Sequence, residues 1–142
     1  MSSVYVDTSV LGAYYCPEPL SRTAEAALRA VDEPVVSLLT EVEFFALIAQ
    51  KKRHGNFSET KARKILGEFA THVTEGYYRK VALNADHYLR ARDLIAQFKT
   101  NVRTLDALHL AIVFDEKLSL VTADRAMAAA AMRFKLKVAL IT

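Results

Sequence analysis

Thr104-Leu105-Asp106-Ala107-Leu108-His109-Leu110-Ala111 continues through Ile112-Val113-Phe114 and, after the charged Asp115-Glu116-Lys117, is followed by Leu118-Ser119-Leu120-Val121-Thr122-Ala123-Asp124. The first run is apolar around most of its circumference and predicts a buried helix, capped by Thr104 and ending near Glu116. The second is a short β-prone run that ends in a hydroxyl and a carboxylate. It reads as a strand, Leu118 to Thr122, handing over to a helix that starts at Asp124 and runs to about Phe134. A buried helix feeding a buried strand that ends on an acid is the local signature of an α/β fold.

Working outward, the same alternation recurs along the chain. Val4-Tyr5-Val6 reads as a first strand closing on Asp7, with Thr8 or Ser9 capping the short helix that follows. Pro17-Glu18-Pro19 stops that helix, and a second runs from Ser21 to about Val31. Pro34 to Ser37 is a second strand, leading into a helix that carries Glu43 and ends near Arg53. His54-Gly55-Asn56 is a turn, and Ser58 opens a helix to about Thr71. Tyr77 to Leu83 has strand character, Asn84 caps a helix to about Phe98, and Leu136 to Ile141 is the last strand. Strands separated by helices imply a mostly parallel central sheet covered on both faces, a three-layer α/β/α sandwich.

At 142 residues the chain is the size of one domain, here expected to span 1–142. It is 52% apolar and 25% charged, as soluble proteins are. No apolar stretch approaches the roughly 18 residues of a membrane span, and the N-terminus lacks the basic start and apolar segment of a secretory signal. Cys16 is alone, which excludes an internal disulfide and fits a reducing cytoplasm. Nothing basic neighbours it in sequence, so it is a poor nucleophile. The net charge of +3 and pI of about 9.0 permit a phosphate-bearing partner. Lys51-Lys52-Arg53 with Lys61, Arg63 and Lys64 is the densest basic cluster, although cations also suit a helix C-terminus.

Four carboxylates, Asp7, Glu43, Asp106 and Asp124, sit where strands or loops give way to helices. Acids near apolar walls must be paired, protonated or bound to cations, so their convergence would make a hard-cation site. Taken singly, Asp7 and Asp124 could equally be helix caps. Glu41 and Glu43 lie on different faces of one helix with apolar companions on each, and periodicity does not choose between them. His109 shares a face with Asp106, three residues on, and is more simply read as a hydrogen-bonded structural histidine.

Asp7-Thr8-Ser9-Val10-Leu11, Thr40-Glu41-Val42-Glu43, Arg103-Thr104-Leu105-Asp106-Ala107-Leu108-His109-Leu110-Ala111 and Val121-Thr122-Ala123-Asp124 together resemble the signatures of the PIN domain, and within it the VapC-type toxins of type II toxin–antitoxin pairs. The likeness spans essentially the whole chain in the family's order. It selects Glu43 over Glu41, makes Asp7, Glu43, Asp106 and Asp124 the catalytic acids, and makes Asp7, Asp106 and Asp124 the metal ligands. Thr122 becomes a supporting hydroxyl on the substrate side, while His109 stays structural. A glycine usual before the last strand is replaced by Phe134-Lys135-Leu136, a departure in a turn rather than the site.

The resemblance implies a metal-dependent endoribonuclease acting on RNA, with tRNA a frequent target class, and with a cognate antitoxin and a homodimer as protein partners. Oxygen-only donors suit Mg²⁺ or Mn²⁺ rather than zinc. Lys99, Arg103 and Arg125, beside the motifs, are the candidate phosphate contacts. Phe44-Phe45-Ala46-Leu47-Ile48 is mostly core, with a groove for an antitoxin segment implied nearby. A phospho-acceptor signalling domain also gathers acids around Mg²⁺, but it needs a lysine after a late strand where this chain has Thr122-Ala123-Asp124. A non-catalytic PIN module binding RNA or protein is the remaining alternative.

Overall fold

The computed structural model describes residues 3–142. Strands β1 (Ser3–Val6), β2 (Glu33–Ser37), β3 (Arg79–Val81), β4 (Ser119–Thr122) and β5 (Val138–Leu140) form one sheet in the order β3-β2-β1-β4-β5. All four pairings are parallel, the limiting case of the mostly parallel sheet expected. Between the strands run α1 (Thr8–Tyr15), α2 (Ser21–Arg29), α3 (Leu38–Arg53), α4 (Glu59–Thr74), α5 (Ala85–Ile95), α6 (Thr104–Asp115) and α7 (Arg125–Arg133).

Side chains alternate across each strand, and this divides the core in two. Val4, Val6, Val36 and Val121 pack with Leu11, Phe44, Ile48, Ile65 and Phe69 of α1, α3 and α4. Tyr5, Val35 and Leu120 face the opposite way, onto Leu94, Leu110, Ile112 and Met127 of α5, α6 and α7. Helices therefore cover both faces. Gly12 lets α1 sit close on α3: a Cβ there would lie 2.7 Å from Leu47 Cδ2.

Several boundaries differ from the sequence reading, each for a local reason. Asp7, not Thr8 or Ser9, occupies the cap position of α1, and no side chain caps that helix. Arg103, not Thr104, precedes α6, again without a side-chain cap. Asn84 does cap α5, accepting the His87 amide. Helix α5 stops at Ile95 rather than Phe98, because Phe98 takes φ 54°, which a helix cannot continue. The strand expected over Tyr77 to Leu83 narrows to β3, and that over Leu136 to Ile141 narrows to β5.

The missing glycine has a structural substitute. Lys135 follows the cap of α7 with φ 60°, its amide donating to the Met132 carbonyl at 2.9 Å while Leu136 donates to Ala131 at 2.9 Å. That is the Schellman closure, in which glycine usually holds the left-handed position. A Cβ in this region carries strain of about 1 kcal/mol, partly offset by the greater freedom of an unfolded glycine. Lys135→Gly is expected to raise stability by at most about 0.5 kcal/mol, read as a slightly higher urea midpoint at unchanged m.

Candidate active site

The sheet order places β1 beside β4, while α1 leaves on one face and α7 on the other. Where consecutive connections part this way, a crevice opens at the carboxyl ends of the strands. Asp7 follows β1 and Asp124 follows β4, so the fold brings these two into one crevice although more than a hundred residues separate them.

Asp7 is only 6% exposed, and its carboxylate is held by hydroxyls. Oδ2 accepts from Ser9 Oγ at 2.5 Å and from Thr122 Oγ1 at 2.8 Å. Ser9 Oγ in turn accepts the Ala123 amide at 2.9 Å, and Thr122 Oγ1 accepts the Asp124 amide at 3.0 Å. The two hydroxyls thus lock the β1 and β4 ends together and aim Asp7. Thr122 is fully buried, and its hydroxyl donates to Asp7 while accepting the Asp124 amide, which fits the supporting role that the resemblance implies.

Asp124 caps α7: Oδ1 accepts the amides of Ala126 at 2.8 Å and Met127 at 3.2 Å. The capping role open from sequence is therefore real, and it fixes the side chain at the crevice rim. Asp106, in the first turn of α6, lies near the Arg103 backbone amide. Burial, followed by the nearby charges of Asp124 and Asp7, pushes its carboxyl above the ordinary range, against the opposing pull of that amide and of His109. This electrostatic coupling is the sign that Asp7, Asp106 and Asp124 share one small region.

Glu43 approaches from α3. Its Oε1 accepts from Thr8 Oγ1 at 2.8 Å and lies 2.6 Å from His109 Nε2. Tyr5 Oη lies 2.7 Å from Nδ1 of the same imidazole. An ionised carboxylate only accepts, so Nε2 carries a proton and donates to Glu43, while the direction of the Nδ1–Tyr5 bond follows the charge of the imidazole. Ser37 Oγ at 2.7 Å and Thr40 Oγ1 at 3.1 Å complete the relay behind Tyr5. Burial alone would raise the Glu43 carboxyl, but the His109 hydrogen bond and charge, with the Thr8 hydroxyl, outweigh it and hold the group below its ordinary value.

A depressed folded value has a definite sign. The stabilisation from ionised Glu43 is complete above the glutamate range of an unfolded chain and is lost as pH falls through the lower folded value. The wild type is expected to lose stability in that acidic window more steeply than Glu43→Gln, as seen by urea titrations across pH 3–6 (about the range set by carboxyl pKa values).

The donor set fits a hard divalent cation. Among the described residues, no lysine or arginine pairs with Asp7, Asp106 or Asp124. Their charges are met by hydroxyls, amides and His109, and by no lysine or arginine among the described residues. Also among the described residues, no three His, Cys, Asp or Glu side chains form a ready chelate.

Glu41, the rejected alternative, faces away and pairs with Lys80 at 3.5 Å. Arg103 and Arg125 are exposed, without an ion-pair partner among the described residues. Two depressions flank the acids: one of about 290 Å³ beside Asp106, reached by Lys99, and one of about 420 Å³ between Thr8, Glu43, Gln50 and Arg53. Thr8, Ser9 and Tyr5 escaped the sequence reading as site residues. Hydroxyls two positions from an acid were the available signal for Ser9.

Residues 4–132 match the sequence model of the PIN domain family, a span that includes all four acids. The chain belongs to the PIN domain family. No curated protein matches the chain. Among solved structures, this PIN domain is similar to the VapC20 toxin of Mycobacterium tuberculosis, described as sarcin-ricin loop cleaving, with 18% identity, TM-score 0.71 and coverage of 89% of this chain and 94% of that one. FitAcB of Neisseria gonorrhoeae gives 18% identity, TM-score 0.71 and 95% coverage of both chains. A toxin–antitoxin complex from Klebsiella pneumoniae gives 22% identity, TM-score 0.61 and coverage of 88% and 90%. These likenesses bear out the three-layer PIN architecture.

Proposed function

We propose that this PIN domain, acting as one unit over 1–142, is a divalent-metal-dependent endoribonuclease and the toxin of a VapBC-type pair. The observation that carries the reading is the gathering of Asp7, Asp106 and Asp124 at one crevice, with no lysine or arginine paired to any of them among the described residues. Asp7 and Asp106 are the principal ligands for Mg²⁺ or Mn²⁺, with Asp124 supporting them from the rim. When bound, the ion supplies the positive charge that offsets the phosphate and acidifies an attacking water. Glu43, kept ionised by His109, orients that water and accepts its proton. Arg103 and Arg125 hold the RNA backbone on either side.

The protein partners follow from surface chemistry. Phe44 and Ile48 are buried, as expected, but Leu38, Val42 and Phe45 on the same helix are 45%, 68% and 44% exposed. This apolar strip and the neighbouring cleft ending at Arg53 are the surfaces offered to an antitoxin segment and to a second copy of the chain. Among the described residues no helix is long and apolar enough to cross a membrane. The reading places the activity in the cytoplasm, where RNA and antitoxin are met.

The test is cleavage of total RNA by the purified chain with Mg²⁺, Mn²⁺ or EDTA, beside Asp7→Asn. Discrete products are expected only with metal and native Asp7. Identical RNA patterns from both proteins would instead favour a PIN module that binds without cutting. Metal linkage provides a companion result: Mg²⁺ is expected to raise the melting temperature of the wild type, and to leave that of Asp106→Asn nearly unmoved.

A further inference from the structure

The cavity beside Asp106 lies between the α5–α6 loop and α7, and Glu43 is not among the residues that line it. Resting on the ribonuclease reading, we propose that it is a nucleotide subsite, holding one unpaired nucleotide of the RNA next to the phosphate that is cut.

Three features point to a nucleotide. First, charges of both signs line the cavity. Asp106 stands at the catalytic end, while Lys99 from the loop and Arg133 from the last turn of α7 line it as well. Neither cation has an ion-pair partner among the described residues, so both are available to a phosphate. Second, Ala126, Ala129 and Met127 form an apolar wall on which the flat face of a base can lie, with Asn101 offering amide donors and an acceptor to its edge. Third, about 290 Å³ lies near the lower limit of small-molecule pockets, which are roughly 300 Å³ and up, so it admits a splayed nucleotide and not a duplex. A cation-flanked base pocket also answers a physical problem of the site: carboxylates repel the RNA backbone, and grip must come from beside them.

The subsite predicts that unpaired RNA is preferred and that two substitutions separate its two parts. Ala129 is exposed and lies within α7, so Ala129→Leu fills the cavity while keeping the helix and core intact. Binding is measured by fluorescence anisotropy of a labelled short single-stranded RNA, with every variant carried on the Asp7→Asn background. Ala129→Leu is expected to weaken binding about tenfold, the size of losing one base contact, with an unchanged salt slope. Arg133→Ala is expected to weaken binding and to lower the slope of log K against log salt by about 0.7, one phosphate contact on a single strand. A fully paired RNA of the same sequence is expected to be indifferent to Ala129→Leu.

Single-stranded binding unchanged by both substitutions would overturn the subsite. Cleavage by the same variants with native Asp7 tests the underlying reading separately. A chain that cuts RNA but ignores both substitutions keeps the nuclease and loses the subsite. One that never cuts, yet binds with this Ala129 and Arg133 dependence, keeps the subsite and loses the nuclease.

Discussion

Asp7→Asn is expected to reduce metal-dependent RNA cleavage about a thousandfold, a loss near 4 kcal/mol of transition-state stabilisation, which is the scale of metal catalysis. The substitution keeps the shape of the side chain. Asn retains an oxygen to accept from Ser9 Oγ and Thr122 Oγ1, the two bonds that hold Asp7 in place. Folding should therefore survive, and the deficit should appear in kcat rather than in the melting temperature. A variant that melts like the wild type and still cuts at a comparable rate would remove Asp7 from the reaction.

His109→Leu is expected to do damage of both kinds. His109 is 2% exposed and bridges Tyr5 to Glu43, so an apolar replacement takes one bond from a buried hydroxyl and one from a half-buried carboxylate, leaving Tyr5 with Ser37 and Thr40 and Glu43 with Thr8. A loss of about 2–3 kcal/mol follows for two buried polar partners left short of a bond. Cleavage should fall a further ~10–100-fold, as for other groups that orient a site from behind. One readout separates orientation from mere instability. His109 is what keeps Glu43 ionised, so the acidic limb of the pH–rate profile should move to higher pH in the variant. An unmoved limb with lowered stability would make His109 a structural residue only.

The alternation of strands and helices was legible because each buried strand is short, β-prone and bounded by polar turns. That alternation also implied parallel pairing, but the order β3-β2-β1-β4-β5 was not legible, since it depends on contacts distant in sequence. Acids following β1 and β4 were readable from the runs that precede them. Glu43 was not separable from Glu41 by periodicity, and the geometry explains why. Thr40, Phe44 and Ile48 form the buried face of α3, and the two glutamates flank it, one toward Lys80 and the other toward Thr8 and His109. The family likeness made that choice.

Helix caps misled for a different reason. Thr8 and Ser9 are good local caps, yet both hydroxyls are drawn into bonds with Glu43, Asp7 and Ala123. Partners far along the chain outcompeted the local amides, which no window of sequence can display. Lys135 shows the converse: a turn normally written with glycine was formed without it, because the two closing carbonyl bonds of α7 are strong enough to hold a lysine at positive φ.

Diffraction from crystals soaked in Mn²⁺, collected at a wavelength where manganese scatters anomalously, tests the central claim most directly. The account predicts an anomalous peak in the crevice bounded by Asp7, Asp106 and Asp124, absent from crystals of Asp7→Asn. Manganese bound only elsewhere on the molecule, or a crevice that stays empty at saturating ion, would contradict it.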